Sequence, residues 1–189
     1  MTQACCELPL RKDTPYCVNN IERDRVPHKY AAAIGACCSG DKPWPLTLAG
    51  DVGVGKTYAA KLLWSRGIGR SWYSSFTFLV RSHAEAKRHE LIWYDRADQV
   101  CVGVDEFWRH LADTNRLVVV DDIGVRGDES PHAYETLLEL LDRRIGKPTV
   151  FTTNHKLSGL QDIYDLRIAD RLRAGTYVYL EGDSQRGDS

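Results

Sequence analysis

Eight consecutive residues, Gly50, Asp51, Val52, Gly53, Val54, Gly55, Lys56 and Thr57, satisfy the pattern G-x-x-x-x-G-K-[ST] in full. The chemistry of that spacing is phosphate binding. The glycines let the backbone curl so that the N–H groups of residues 53–57 converge on anionic oxygens, and a helix that follows adds its positive N-terminal end. Lys56 is placed to reach the β- and γ-phosphates of a nucleoside triphosphate, Thr57 to hold Mg²⁺ through its hydroxyl, and Tyr58 to continue the helix behind them. ATP and Mg²⁺ are the expected ligands. The pattern stands directly after an apolar run at 46–49 and directly before a helical run at 56–65, the context that separates a site from a glycine-rich turn.

Such a site needs a metal-facing carboxylate delivered by another strand. Leu117, Val118, Val119 and Val120 form a buried run that carries Asp121 to the carboxyl edge of the sheet, where parallel sheets bind ligands. Asp121 is expected to reach the metal through water. Asp122, next in the chain, is expected to polarise the attacking water as a base, although Asp is one methylene shorter than the Glu commoner in that role. The run at 150–153 ends in Asn154, whose amide can both donate and accept and so suits a group that senses the γ-phosphate.

The elements that must position these residues follow from hydrophobic patterning. Strands are predicted at 46–49, 76–80, 117–120, 149–153 and 177–180, and helices at 56–65, 84–94, 105–112 and 131–145. A further helix over 30–38 is opened by Pro27. The helix at 131–145 has the fullest signals: Ser130 as N-cap, Pro131 at its first position, Leu137, Leu138, Leu141 and Ile145 on one face, and Gly146 at its end. Alternating strands and helices predict an α/β fold with a mostly parallel sheet covered on both faces.

Taken in this order, the motifs resemble those of the AAA+ ATPases, most closely the DnaC-type helicase loaders and IstB-type transposition helpers. The likeness runs over about residues 27–182 and is carried by residues 50–57, 118–124, 140–144, 147–154 and 165–173. It implies a three-layer phosphate-loop NTPase core with a five-stranded parallel sheet of order 5-1-4-3-2. It also implies a homo-oligomeric open ring or spiral, with ATP held between subunits and an arginine reaching in from the neighbour. Arg167 matches that position best, then Arg171, then Arg173. Only 49 residues precede Gly50, so the N-terminal domain by which family loaders grip a helicase is not expected, and the polar end at 181–189 is too short for a helical lid. The domain reading is an arm at 1–25, the ATPase core at 26–182 and a tail at 183–189.

The implied work is ATP hydrolysis that switches DNA-associated machinery, either a replicative helicase or a transposase. A small-molecule kinase on the same loop and a nucleotide-binding scaffold without useful turnover are the alternatives. Nucleic-acid contact would have to be local, because 25 basic against 26 acidic residues leave a formal charge of -1. The best candidate is the stretch 81–96, where Lys87, Arg88 and Arg96 could meet phosphates of single- or double-stranded DNA and Trp93 or Tyr94 could stack on a base. An amphipathic helix with a solvated charged face explains the same stretch. No run approaches the ~20 apolar residues of a membrane span and no leader pattern is present, so a soluble, cytoplasmic protein without a membrane partner is expected. The cysteines at 5, 6, 17, 37, 38 and 101 form no Cys-x-x-Cys pair, and the Arg-Gly-Asp tripeptides at 126–128 and 186–188 read as loop chemistry.

Overall fold

The computed structural model describes residues 26–66, 70–95, 98–125 and 130–182, and within 92–101 only the backbone. Side-chain alternation decides the layers. Along the strand Leu117–Ile123, Val118 and Val120 join one apolar cluster while Leu117 and Val119 join another, so the strand is covered on both faces. In chain order the elements are α1 (His28–Ser39), β1 (Leu46–Gly50), α2 (Lys56–Arg66), β2 (Ser71–Ser75), α3 (Phe76–Lys87), β3 (Leu91–Asp95), β4 (Asp98–Val102) and α4 (Val104–Trp108). A π-helical turn at Arg109–Asp113 prolongs α4. There follow β5 (Leu117–Ile123), α5 (Pro131–Arg143), β6 (Thr149–Thr153), α6 (Leu157–Ile163), α7 (Leu166–Ala174) and β7 (Thr176–Leu180).

The main sheet is wholly parallel, in the order β2-β5-β6-β1-β7. Counting only its own strands along the chain, this is 5-1-4-3-2 read from the other edge, the order expected. One cluster, with Tyr30, Ala33, Ala59 and Ala60, packs α1 and α2 on one face. The other, with Phe76, Leu79, Phe107, Trp108, Leu137, Leu140, Ile168 and Leu172, packs α3, α4, α5 and α7 on the opposite face. Among the described residues no helix is long and apolar enough to cross a membrane.

Three expectations need correction. Residues 76–80 are helical, and the second strand lies five residues earlier. Ser75 decides this by accepting a hydrogen bond from Phe78 N at 3.3 Å, an N-cap, and Phe76, Leu79, His83 and Ala86 are then buried at helical spacing. The run of aromatic and branched residues pointed to a strand, but capping and burial period prevail. Residues 84–94 are not one helix: α3 stops at Lys87, His89 turns with φ 57°, and β3 pairs antiparallel with β4. Helix α5 ends at Arg143, two residues short of Ile145, which is 73% exposed. Arg144 is the reason. Its buried guanidinium turns inward and donates to the carbonyls of Ala112, Asn115, Arg116 and Pro148, tying the α5 end to the entries of β5 and β6. Burial lowers its pKa to about 10, leaving it charged at neutral pH.

A second buried polar group sets the pH response of the fold. His83 is fully buried between Phe107, Trp108 and His132, with Nδ1 2.8 Å from Thr136 Oγ1. Thr136 gives its hydroxyl proton to His132 O, so His83 Nδ1 must be the donor in that contact and Nε2 carries no proton. Burial chiefly, with the charges of Lys87, His132 and Arg143 adding and Glu135 opposing, lowers its pKa to about 4. The unfolded chain therefore binds a proton that the folded chain refuses between about pH 6.5 and 4, and stability falls as pH drops through that window. From pH 7.5 to 5 the loss attributable to His83 should be about 2 kcal/mol. Urea midpoints at the two pH values check it, and His83→Phe should remove most of the slope.

Candidate active site

The phosphate loop leaves β1 at Gly50 and enters α2 at Lys56. Gly50, Gly53 and Gly55 all have positive φ, at 153°, 90° and 89°. Gly50 is also hemmed in, since a Cβ there would lie 2.3 Å from Leu180 O and 2.9 Å from the Tyr30 hydroxyl. Both neighbours are fixed: Tyr30, fully buried, donates to Ala49 O at 2.6 Å, and Leu180 O accepts from Asp51 N. Tyr179 OH and Gly182 N then donate to the Asp51 carboxylate. Thus α1 and β7 clamp the first half of the loop. Lys56 is 5% exposed, and its ammonium donates to Gly50 O at 2.8 Å and Asp51 O at 2.7 Å. Val52 projects from the loop, 62% exposed, and Val54 packs inward.

Strand pairing brings the acidic edge to the loop. Val119 and Val150 face α2, so at a period of two Asp121 and Thr152 face it as well, and Tyr73, opposite Val119, does the same. Asp121 Oδ1 accepts from Thr57 Oγ1 at 3.0 Å and from Thr152 Oγ1, and Oδ2 accepts from Tyr73 OH at 2.6 Å. Regular β5–β6 pairing breaks between Val120 and Ile123, and Asp122 adopts φ 61°. That left-handed residue at a bulge re-aims the carboxylate pair. Asp122 N is held by Thr152 Oγ1 at 2.9 Å. One hydroxyl thus joins the two acids.

Thr57 and Asp121, 64 residues apart in sequence, offer one hydroxyl and one carboxylate, a hard-oxygen set that fits Mg²⁺. Among the described residues no group of three or more His, Cys, Asp or Glu side chains could hold a metal ion by itself. A divalent cation here would take its other ligands from phosphate and water.

The remaining predicted residues divide. Asn154 is exposed immediately after β6, next to Thr153, whose hydroxyl donates to Ile123 O. Arg167 is exposed in the first turn of α7 beside Leu166, itself 54% exposed, and its charge acts on the Tyr134 hydroxyl that donates to Asp165. Arg171 Nε is paired with Asp142 and Arg173 with Asp170. In the basic stretch Lys87 pairs with Glu135 at 3.2 Å and Arg88 with Glu90 at 2.7 Å. Trp93 lies in β3, its side chain outside what is described, and Arg96 is outside the described residues. So are the expected arm and tail, both Arg-Gly-Asp tripeptides, and Cys5, Cys6 and Cys17; Cys37 is buried and Cys38 exposed.

Sequence reasoning missed Tyr73 and Thr152. Misplacing the second strand hid Tyr73. Thr152 was legible in principle, two residues before Asn154 and so on the face opposite Thr153.

No family model and no curated protein matches the sequence. Solved structures do match in fold. Over 98% of this chain and 94% of the other, it superposes on the crystal structure of DnaI with a TM-score of 0.55 and 18% identity. Domain III of the Thermotoga maritima replication initiation protein DnaA gives a TM-score of 0.62 at 20% identity, covering 92% of this chain and 69% of that one. The replication initiator DnaA bound to AMPPCP and single-stranded DNA gives 0.63 at 19% identity, covering 82% and 45%. The chain spans less than half the length of the longer replication-initiation chains it matches. At these identities the likeness is one of fold, a three-layer α/β core with a phosphate loop and a parallel sheet of order 5-1-4-3-2.

Proposed function

We propose that this chain is an ATP-hydrolysing AAA+ switch acting on DNA-associated machinery, either loading a replicative helicase or assisting a transposase, with ATP held between copies of the chain. The observation that carries the reading is the convergence of loop and acidic edge, Lys56 and Thr57 against Asp121 and Asp122, on one end of a parallel sheet. The loop N–H groups and Lys56 bind the triphosphate, Lys56 exchanging its two loop carbonyls for phosphate oxygens. Thr57 and, through water, Asp121 would hold Mg²⁺, which would supply charge to neutralise the triphosphate. Asp122 takes the proton of a water that attacks the γ-phosphorus, and the bond to the bridging oxygen breaks, leaving ADP and phosphate. Asn154 orients that water or detects the γ-phosphate.

Asp122→Asn separates binding from turnover. It removes the base and leaves Thr57 and Asp121 in place, so ATP affinity should stay within about threefold while hydrolysis falls by about 100-fold or more. Turnover at the parent rate would remove Asp122 from this role.

Arg167 supports an interface site: Arg171 and Arg173 sit in ion pairs within α7 and to α5, whereas Arg167 is exposed beside Leu166 at the head of α7, within reach of Tyr134 and Asp165. A second copy is therefore the first partner. DNA is the second, supported by the likeness to a DnaA bound to AMPPCP and single-stranded DNA. Lys87 and Arg88 would meet it only by leaving their acidic neighbours. Phosphate release measured with and without single-stranded DNA, over a range of protein concentrations, tests the reading. Release that rises with both supports it. Release that is slow and indifferent to both favours the scaffold.

A further inference from the structure

We infer that Tyr73 is a positioning residue for the metal-facing carboxylate, setting the rotation of Asp121 and through it the Mg²⁺ requirement of nucleotide binding. The inference rests on the proposed reading of the site and goes beyond it.

The geometry runs from a strand to a carboxylate by way of a pinned ring. Tyr73 lies in β2, two residues before the strand's end, and pairs with Val119. Its ring stands on α2, with its centroid 5.5 Å from that of Trp64 and 5.6 Å from the Lys61 ammonium. Those contacts leave the hydroxyl one direction, and it donates to Asp121 Oδ2 at 2.6 Å. Oδ1 is then turned toward Thr57 Oγ1, the other oxygen expected at the metal.

The chemistry of the pair follows. A carboxylate that takes a hydrogen bond on one oxygen cannot rotate freely and offers the other oxygen in a fixed direction. Without the phenol proton, Asp121 would retain the Thr152 donor but lose the constraint that keeps Oδ2 away from the metal side. Nucleotide held through the loop N–H groups and Lys56 should not feel the change unless Mg²⁺ is present.

Tyr73→Phe in the full chain tests this, because it keeps the ring against Trp64 and removes one oxygen. The probe is a ribose-labelled fluorescent adenine triphosphate, titrated over a range of Mg²⁺ concentrations and in EDTA. The Mg²⁺ concentration that half-maximally tightens binding should rise by about tenfold, while affinity in EDTA stays within about twofold of the parent. Thr152→Val, which removes a donor from the same carboxylate, should shift the Mg²⁺ midpoint in the same direction, and it carries the test should Tyr73→Phe fail to fold. An unchanged Mg²⁺ midpoint overturns the inference, as does equal weakening with and without Mg²⁺, which is the signature of a merely structural role. A parent protein that binds no nucleotide, or binds it without regard to Mg²⁺, fails at an earlier step and overturns the proposed function along with the inference.

Discussion

Lys56→Ala should weaken ATP binding by on the order of 100-fold, because it removes a charged donor that meets the β- and γ-phosphates where little water competes. The same ammonium is 5% exposed and bound to Gly50 O and Asp51 O, so the substitution also frees two loop carbonyls. The loop should loosen without unfolding the sheet, since Gly50 and Asp51 remain held from the other side by Tyr30, Tyr179 and Leu180. Calorimetric titration of ATP, with thermal melting as the control, checks both halves. Parental affinity in the variant would remove the phosphate-loop assignment.

Arg167→Ala should leave ATP affinity within a few-fold of the parent and lower hydrolysis by about 1,000-fold, the effect of removing an arginine supplied to a γ-phosphate by a neighbouring subunit. Its exposure in the first turn of α7 makes a stability change small. The guanidinium suits the role because it stays charged and can bridge two phosphate oxygens. Arg171→Ala should behave differently, breaking the ion pair to Asp142 and altering the α5–α7 contact before any effect on turnover. If Arg171→Ala loses turnover and Arg167→Ala does not, the two arginines exchange roles. Steady-state phosphate release and nucleotide titration on the same preparations separate these outcomes.

The parts of this site that were legible in the sequence are those whose physics is local. The phosphate loop announces itself because glycine spacing, lysine and hydroxyl all sit within eight residues, and the Tyr30 hydroxyl and Leu180 carbonyl leave no room for a side chain at Gly50. Asp121 was legible because four apolar residues must be buried and the next residue must therefore emerge at an edge. What escaped depended on contacts between distant residues. The run 76–80 has strand-like composition, yet the Ser75 cap and the burial of Phe76, Leu79 and His83 together made it a helix. That shift moved β2 back to Ser71–Ser75 and brought Tyr73 to Asp121. Arg144 escaped for a similar reason, since three of its four carbonyl partners lie at 112–116, a stretch that only the fold brings beside it.

The central claim, that the site is completed by a second copy of this chain, is tested most directly by mixing Lys56→Ala and Arg167→Ala proteins, each expected to be inactive alone. In a head-to-tail assembly formed at random, about a quarter of the interfaces would join an intact Lys56 on one subunit to an intact Arg167 on the next. The mixture should therefore regain a measurable fraction of parental phosphate release, and the regained rate should rise with total protein concentration. A mixture that stays inactive although the two variants demonstrably co-assemble, or a dilute monomeric parent that hydrolyses ATP at full rate, would contradict the account.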